Sequence, residues 1–471
     1  MSVRSTLSWW IAAIVLAAAA AWLLRRPEVV ASGPQPVFTA GELPVDRIDE
    51  IRLVRGDEPE WVFRREGTAW RQVEPFEHPL ESFSMRRHAV AAEALAASRA
   101  VELAELEADR GLASLGLEPP VAAIEFGWTD ESGERHREVL ELGRPTVAGR
   151  AWARRRGEER VLAVDTGLHD RIVEHHPREW RRKQLLDLPA GPVDRIRLQF
   201  ADGQEVRAVR EGKSWSLESP ISTRLDREAV EAWLAALARV ESAAFFEDEP
   251  TDLARYGLDA PAETLVLERA SPRPDGGIEL EREAIRLGGL FGPGSTDRFA
   301  MVEGRPVVVL LGEGARSTLL RPVTALIDPT GTAVPASEIA AVEIRTAAES
   351  FRIRRELDGF VAERLAGDGS VTQTVPVERA RAESLLEKLT AARAPEIAVG
   401  GFPQELLEAM AILSGVGGRP LDAVRIARDP ETSRWALDNG DDVMRVFPAS
   451  FAPSLRGADY GLAPAPPEGT P

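Results

Sequence analysis

Hydrophobic and polar positions follow the same order in three long stretches of this chain. In each stretch an aromatic-alanine pair is followed, at one fixed offset, by a glycine and then by a second apolar run. The three copies are Trp152-Ala153 with Gly157, Phe299-Ala300 with Gly304, and Trp435-Ala436 with Gly440. Two apolar runs around a turn glycine are typical of a β-hairpin. The pattern therefore predicts an equivalent hairpin in each of three units of about 140 residues.

Strands and one helix are predicted ahead of the hairpin in each unit. Alternating apolar and polar residues in 51–54 and 196–200 indicate strands with one buried and one solvated face. Helices are predicted over residues 83–99, 226–240 and 377–392. The second has an apolar stripe of Val230, Trp233, Leu234, Leu237 and Val240, with Asp226 as its candidate N-cap. Such a unit belongs to the α+β class with mainly antiparallel pairing.

A bulky aromatic residue stands at the same place in each unit. Trp70 and Trp215 each lie five residues before a proline, and Phe360 takes this position in the third unit. We interpret these rings as core anchors, the alternative being a platform that binds sugar or peptide.

Units of this length can bury their own cores, which favours separate domains over a solenoid. We therefore predict an α+β protein of three tandem repeats, each a mainly antiparallel sheet with one principal helix. The repeats are module 1 (45–189), module 2 (193–329) and a divergent module 3 (339–462), and 463–471 is predicted to be a disordered tail.

The N-terminal region has a different pattern. Residues 7–24 carry no charge and would form a helix of about 27 Å, close to the roughly 30 Å of a bilayer core. Trp9, Trp10 and Trp22 lie at its two ends, where amphipathic rings favour the membrane interface. We predict a transmembrane anchor over 7–24 and a tether over 28–44, the alternative being a cleaved signal peptide.

Arginines flank the predicted anchor on both sides, so the positive charge on its two sides is nearly equal and does not decide its orientation. Large C-terminal domains are translocated largely regardless of their own charge. The expected protein is therefore a single-pass protein of the inner (cytoplasmic) membrane with the bulk of the chain outside the cytoplasm.

Composition narrows the classes of function. The chain has 76 acidic and 58 basic residues and a net charge of −18, which argues against binding nucleic acid. It contains no cysteine, so disulfides, thiol catalysis and cysteine-ligated zinc are excluded. No cofactor and no metal are expected from any motif.

The histidines offer little for catalysis. All six fall in module 1: His78, His88, His136, His169, His175 and His176. His169 and His176 would share a helix face, but the spacing is not the His-Glu-x-x-His of a zinc site. We interpret this segment as an amphipathic helix that ends before Pro177.

Two loops resemble binding motifs at first sight. The glycine-rich 288–294 lacks the lysine of a phosphate loop, so we interpret it as a connection between strands. The acidic 438–442 contains Asn439-Gly440, which favours a hairpin turn over a calcium loop. No Gly-x-Ser-x-Gly motif is present, so no catalytic residue is assigned.

One charged cluster is a candidate interaction site. It contains Arg150, Arg154, Arg155, Arg156 and Arg160, and we call it the arginine cluster. It could contact anionic lipid headgroups or an acidic partner, with Arg154 and Arg156 on one strand face and Arg155 on the other. The alternative is an edge strand that charge protects from aggregation.

The order of elements resembles the family named domain of unknown function 4340. The matching features are Trp215 with Pro220, the helix, Tyr256-Gly257-Leu258-Asp259-Ala260-Pro261, Leu287-Gly288 and the hairpin 299–311. Module 1 has Leu115 in place of the tyrosine, and module 3 lacks both the tryptophan and the Gly-Leu-x-x-Pro element.

The resemblance implies membrane-anchored bacterial proteins that accompany ABC transporters of the type linked to gliding motility. We therefore expect a non-enzymatic accessory or scaffold protein with ABC transporter or auxiliary membrane subunits as partners. A cell-envelope enzyme or a ligand-binding protein acting on glycan or peptide is the alternative.

Overall fold

The computed structural model describes residues 34–106, 111–146, 149–187, 193–273, 275 and 277–463. The chain divides between Arg182 and Lys183 into two compact units, each of which is described by itself. The first unit holds one sheet and the second unit holds two. Neighbouring strands in all three sheets pair antiparallel, so the predicted α+β class with mainly antiparallel pairing is confirmed.

The first unit contains a ten-stranded sheet in the order β1-β6-β10-β9-β8-β7-β2-β3-β4-β5. Its strands are β1 (Gln35–Pro36), β2 (Ile48–Arg55), β3 (Trp61–Glu66), β4 (Ala69–Glu74), β5 (His78–Pro79), β6 (Ala96–Glu102), β7 (Ala122–Thr129), β8 (Arg135–Pro145), β9 (Arg150–Arg155) and β10 (Arg160–Asp165). Its helices are Ser84–Glu93 and the short Gly167–His169, which continues as a wider turn over Asp170–Glu174. Tighter helical turns form at Leu103–Glu105 and Pro177–Trp180.

Two predictions for this unit were wrong in extent. The helix predicted over 83–99 ends at Glu93, because residues 96–102 form β6 and pair with β10. The described part of the tether predicted over 28–44 belongs to the folded unit. Val37, Phe38 and Leu43 are buried in its core, and β1 adds a strand beside β6.

The second unit begins with a nine-stranded sheet in the order β14-β13-β12-β11-β16-β17-β18-β19-β15. Its strands are β11 (Arg195–Gln199), β12 (Glu205–Glu211), β13 (Ser214–Ser219), β14 (Thr223–Leu225), β15 (Ala244–Asp248), β16 (Glu263–Pro272), β17 (Ile278–Leu290), β18 (Arg298–Val302) and β19 (Val307–Leu311). Its helices are Arg227–Leu237 and Glu313–Leu319, with tighter turns at Ala254–Tyr256 and Val323–Ala325.

The helix Arg227–Leu237 forms as predicted. The carboxylate of Asp226 accepts the backbone N–H groups of Glu228 and Ala229 at 2.9 and 3.3 Å and so caps the first turn. Val230 and Trp233 of the apolar stripe are buried. The indole of Trp233 also donates to the carbonyl of Thr318 at 2.7 Å, which ties this helix to the next one.

The third sheet has nine strands in the order β23-β22-β21-β20-β25-β26-β27-β28-β24. They are β20 (Ala341–Arg345), β21 (Ser350–Glu356), β22 (Gly359–Leu365), β23 (Val371–Val377), β24 (Glu396–Val399), β25 (Leu407–Ser414), β26 (Pro420–Arg428), β27 (Trp435–Asp438) and β28 (Val443–Phe447). The helix is Arg379–Thr390, and tighter turns form at Gln404–Leu406, Val416–Gly418, Ala449–Phe451 and Gly457–Tyr460.

The three sheets share one strand order. In each, the first long strand is central, the next three follow on one side, and the strand after the helix lies beside the last hairpin on the other side. That strand ends the second and third sheets, whereas β1 lies beyond it in the first. In the third sheet β25 pairs with β20 as β16 pairs with β11 in the second, so β25 is the equivalent of β16.

The repeated aromatic residues are core anchors, as predicted. Trp70, Trp215 and Phe360 are 7%, 3% and 7% exposed. Each lies directly opposite an arginine in its hairpin: Arg65, Arg210 and Arg355. Because the three rings occupy equivalent positions and all are buried, we assign them a structural role.

The glycine motifs pack against each other. A Cβ atom added to Gly288 would lie 2.1 Å from the carbonyl oxygen of Tyr256, and one added to Gly143 would lie 2.4 Å from that of Leu115. Both distances are far below van der Waals contact, so only glycine fits. The Tyr-Gly-Leu turn and the Leu-Gly strand are thus two halves of one close contact.

Neither end of the chain is fully covered by the structure. The predicted anchor over 7–24 lies outside the described residues, as do residues 464–471 of the predicted tail. Among the residues that are described, none belongs to a helix long and apolar enough to span a membrane.

Candidate functional site

The arginine cluster lies on the hairpin of β9 and β10. Arg154 and Arg156 both bond to Glu141 of β8, through their Nε atoms at 2.9 Å in each case. Arg155 points to the opposite face, where its guanidinium lies 4.8 Å from the ring centre of Phe38. The structure thus places the three side chains on the predicted faces.

Carboxylates neutralise much of this cluster. Arg155 forms ion pairs with Glu42 at 2.7 Å and with Glu138 at 3.1 Å, and its side chain is only 12% exposed. Burial opposes the charge of Arg155, yet the bonds to Glu42 and Glu138 outweigh burial and raise its pKa. Arg154 is also half-buried, on the almost fully buried Glu141. These two arginines therefore hold the hairpin to its neighbours.

The remaining members of the cluster are exposed. Arg156 and Arg160 have side chains that are 56% and 43% exposed, and Arg160 bonds to Glu158 at 2.8 Å. Arg150 is exposed at the start of β9. An anionic partner would therefore meet Arg150, Arg156 and Arg160, and not the whole cluster.

The histidines of the first unit do not converge. His169 is buried and its Nε2 bonds to the carbonyl of Gly143 at 2.9 Å. His176 lies edge-on to Trp61, and its Nδ1 accepts the N–H of Arg178 at 3.2 Å. The helical segment ends at Glu174, so the face shared by His169 and His176 does not form. His175 is exposed and bonds to Glu179 at 3.2 Å.

Sequence reasoning missed a group of His136, Asp130 and Glu134 across the turn between β7 and β8. The Nε2 of His136 lies 2.8 Å from the Asp130 carboxylate. That carboxylate also accepts the hydroxyl and the N–H of Ser132 and the N–H of Glu134. These bonds lower its pKa, the Ser132 hydroxyl most and His136 next. All of these contacts stabilise a tight turn, so the group has a sufficient structural role.

The two loops singled out in the sequence are connections, as predicted. Residues 288–294 close the contact with Tyr256 and lead from β17 to β18. Residues 438–442 form the turn between β27 and β28, where Gly440 has a φ of 89°. Within this turn Asp438 bonds to Arg425, and Asp441 bonds to Arg445 at 2.8 Å.

A groove of about 520 Å³ lies on the polar face of the second sheet. Its charged lining residues are Arg195, Arg197, Glu205, Arg207, Glu218 and Glu268. Arg197 bonds to Glu268, and Arg207 bonds to Glu205 through two nitrogens at 2.8 and 3.1 Å. Acidic and basic side chains thus alternate across the groove, which gives it little preference for a ligand of one sign.

The polar faces of the other two sheets are built in the same way. Glu50 bonds to Arg52 at 2.9 Å and to Arg64 at 3.0 Å in the first sheet. In the third sheet Glu363 bonds to Arg354 at 2.8 Å. Burial opposes the charge of Glu50, yet the two arginines outweigh burial and lower its pKa. Repetition of this pairing on three sheets is typical of a structural device.

A second charged group lies where the two sheets of the second unit meet. We call it the inter-module cluster: Thr223, Arg224, Asp226, Asp328, Arg393, Asp441 and Arg445. Arg445 is fully buried and bonds to Asp441 at 2.8 and 2.9 Å. Arg224 bonds to Asp328 at 2.7 Å, while Arg393 bonds to Asp226. Ion pairs therefore lie at the face between these two modules.

The pKa shifts in this cluster follow from burial and charge. Burial and the nearby Arg445 lower the pKa of Arg224. Burial alone would raise the pKa of Asp441, but bonds from Arg445 and Thr223 outweigh burial and lower it. Sequence reasoning missed the cluster because most of its members are far apart in the chain; only Asp226, as an N-cap, and Asp441, as part of a turn, were noticed.

Comparison with known families gives two matches to one family. The family model of Domain of unknown function (DUF4340) matches residues 70–223 and 215–408. The two matches fall on the first two sheets and on part of the third, as the resemblance of the motifs predicted. No curated protein matches the chain.

Solved structures show only a distant likeness. A DNA polymerase sliding clamp from Pseudomonas aeruginosa is 8% identical, with a TM-score of 0.15. A DNA polymerase III beta chain from Streptococcus pneumoniae is also 8% identical, with a TM-score of 0.12. Each comparison covers 86% of this chain and 92% of the other. TM-scores this low support no argument about fold or function.

Proposed function

The chain belongs to the family Domain of unknown function (DUF4340), and from this premise we propose a non-enzymatic, membrane-anchored accessory or scaffold protein. In this proposal three tandem repeats follow an N-terminal transmembrane helix over 7–24. The bulk of the chain lies outside the cytoplasm, and its partners are subunits of an ABC-type transport or surface-assembly system.

One observation carries the non-enzymatic part of the proposal: charged side chains of the described modules bond to one another across sheet faces. Glu50 with Arg64, Glu268 with Arg197 and Glu363 with Arg354 are glutamate–arginine pairs between neighbouring strands, one on each of the three sheets. Catalysis needs a few preorganised groups directed at one reacting centre, with pKa values matched to their task. The groove on the second sheet is open and charge-balanced, so it offers no such centre.

One structural feature, the groove on the second sheet, supports the alternative function of binding glycan or peptide. An envelope protein that binds glycan or peptide would need a concave polar surface, and the groove of about 520 Å³ has that form. Its side chains come from the same sheet face that carries the structural ion pairs. We therefore rank ligand binding second to the accessory role.

A topology and partner experiment tests the accessory role. Alkaline phosphatase fused to the C-terminus is expected to be active, because this enzyme folds only outside the cytoplasm. The full-length chain is then expected to co-purify from membranes with transporter subunits. An inactive fusion would place the bulk of the chain in the cytoplasm and contradict the proposed topology.

A histidine series tests the non-enzymatic part. The single changes His169→Ala, His175→Ala and His176→Ala are expected to leave function intact. Loss of one catalytic group typically lowers a rate by about 10²–10⁴-fold, whereas loss of one surface contact is usually near-neutral. Loss of the buried His169 would act on folding, which is measured separately. Loss of function from one of these changes, with folding and association unchanged, would favour the enzyme.

A further inference from the structure

Strands β16 and β17 extend beyond their neighbours in the second sheet. Strand β11 pairs with β16 only as far as Glu268, and β18 pairs with β17 only from Ile285 onward. Residues 269–272 and 278–281 still pair with each other, from Arg269 opposite Glu281 to Pro272 opposite Ile278. They form a two-stranded ribbon that projects from the sheet and has two edges of its own.

The edge on β16 is closed to a further strand. The carboxylate of Asp194 accepts the N–H of Ala270 at 2.8 Å. Pro272, the next residue with backbone groups on that side, has no N–H to donate. A partner strand would therefore find no free donor along this edge.

The edge on β17 is open within the part of the chain that the structure describes. The carbonyl of Ala284 accepts the N–H of Glu303 at 2.8 Å on the side away from β16. Backbone groups alternate along a strand, so those of Ile278, Leu280 and Arg282 face the same side. No described residue bonds to them there, which leaves a free edge of about five residues.

The side chains of this edge differ sharply between its two faces. Ile278 and Leu280 are 72% and 60% exposed on one face. Glu279 and Glu281 are exposed on the other face, where Glu279 pairs with Arg273, which follows β16, and Glu281 pairs with Arg269 of β16. Those arginines lie on the closed side of the ribbon, so a strand at the open edge would meet the two carboxylates directly.

Charge selects among the strands that could occupy this edge. A second copy added through the same edge would bring glutamates opposite glutamates, because strand pairing keeps each face together. A segment with apolar residues beside Ile278 and Leu280 and basic residues beside Glu279 and Glu281 would be complementary on both faces. We propose that the open edge of β17 binds an extended partner segment of alternating apolar and basic residues, added as a strand.

This inference goes beyond the accessory role and does not depend on membrane anchoring, so the two can fail separately. The test uses the full-length chain and two short fluorescent peptides, one alternating valine with lysine and one alternating valine with glutamate. Fluorescence anisotropy is expected to show binding of the lysine peptide, with the glutamate peptide at least roughly tenfold weaker.

Changes at Leu280 separate backbone pairing from side-chain contact. Leu280→Pro removes an N–H that has no partner within the ribbon, and it is expected to weaken binding roughly tenfold or more. Leu280→Thr keeps this N–H and should weaken binding only a few-fold. The matched control Leu357→Thr alters an exposed leucine in a turn of the third sheet and should change nothing.

A charge exchange gives a second, independent result. The double change Glu279→Lys with Glu281→Lys is expected to reverse the preference, so that the glutamate peptide binds more tightly. Equal binding of both peptides would overturn the proposal, as would an unreversed preference or full binding by folded Leu280→Pro. If Leu280→Pro does not fold, the charge exchange alone decides the outcome. Self-association through this edge would also overturn it.

Discussion

Arg445 and Asp441 form a two-pronged ion pair in the second unit, with nitrogen–oxygen distances of 2.9 and 2.8 Å. The arginine is fully buried, and its Nε also donates to the carbonyl of Asp328 at 3.0 Å. A turn of the third sheet is thereby fixed to the segment that follows the second sheet. The pair is buried, and both partners make further hydrogen bonds. Loss of one partner of such a pair is costly, because the other charge stays buried without compensation.

Arg445→Met is therefore expected to lower the free energy of unfolding of the second unit by about 3–5 kcal/mol, because Asp441 would remain buried without its partner. Chemical denaturation measures this loss. The control is Arg434→Met, which breaks the exposed pair with Glu396 and should cost less than about 1 kcal/mol. Similar losses for the two variants would show that burial of the pair is unimportant.

Gly288 offers a test of the contact between the family motifs. Gly288→Ala would place its Cβ on the carbonyl oxygen of Tyr256, so the backbone must shift. We expect thermal unfolding to show destabilisation by about 1–3 kcal/mol. The matched change Gly314→Ala has open space around it in the helix Glu313–Leu319 and should be neutral or stabilising by about 0.5–1 kcal/mol. A neutral Gly288→Ala would contradict the structural role of this motif.

His88 gives a pH dependence with a defined sign. Its ring is buried against Trp180, with centroids 4.3 Å apart. Burial, with the charges of Arg171 and Arg87, lowers its pKa from 6.5 to about 3. Between these values the unfolded chain binds a proton that the folded chain does not, so stability falls as the pH falls. The slope from one proton is at most about 1.4 kcal/mol per pH unit.

Denaturation of the first unit between pH 7 and pH 5 measures this slope, above the range in which most carboxylates titrate. His88→Phe is expected to flatten the stability profile there, since the phenyl ring keeps the contact with Trp180 and cannot be protonated. His175→Ala removes an exposed histidine and should leave the slope unchanged. An identical slope in His88→Phe and the unaltered chain would show that His88 is not responsible.

Helices, strands and core positions were predicted well where the local spacing of residues alone determines the structure. The capped helix at Asp226 and the buried Trp215 follow from spacing alone. The helix predicted over 83–99 failed because its alanine-rich end pairs with β10, and this partner is distant in the chain. Tertiary pairing overrides weak local propensity in such segments.

The candidate sites were predictable only in part, for the same reason. The arginine cluster could be recognised because its members are neighbours in sequence, but Glu42, which neutralises Arg155, is far away. The inter-module cluster joins Thr223 to Asp441 and Arg393 to Asp226 across a fold boundary that no local pattern marks. The open edge of β17 depends on where β18 stops pairing, which a single sequence does not specify.

The arginine cluster gives a final prediction, on membrane contact. Reversing Arg154 and Arg155 to glutamate would place new carboxylates against Glu141, Glu42 and Glu138, so such a variant would test folding and not binding. The informative variant changes only the exposed Arg150, Arg156 and Arg160 to glutamine. We propose to test it in a chain that begins at residue 27, which we expect to fold because the described core starts at Val37 and Phe38.

In co-sedimentation with phosphatidylserine vesicles at low salt, the affinity of this variant for the vesicles is expected to be lower by up to roughly a hundredfold. Each arginine near the membrane surface contributes about 1 kcal/mol to the binding free energy. Added salt should reduce binding of the unaltered chain towards the same level, because exposed charges are screened. The control replaces three exposed arginines of the second unit, Arg227, Arg345 and Arg379, with glutamine. If this control loses as much binding, total charge and not the hairpin determines the contact.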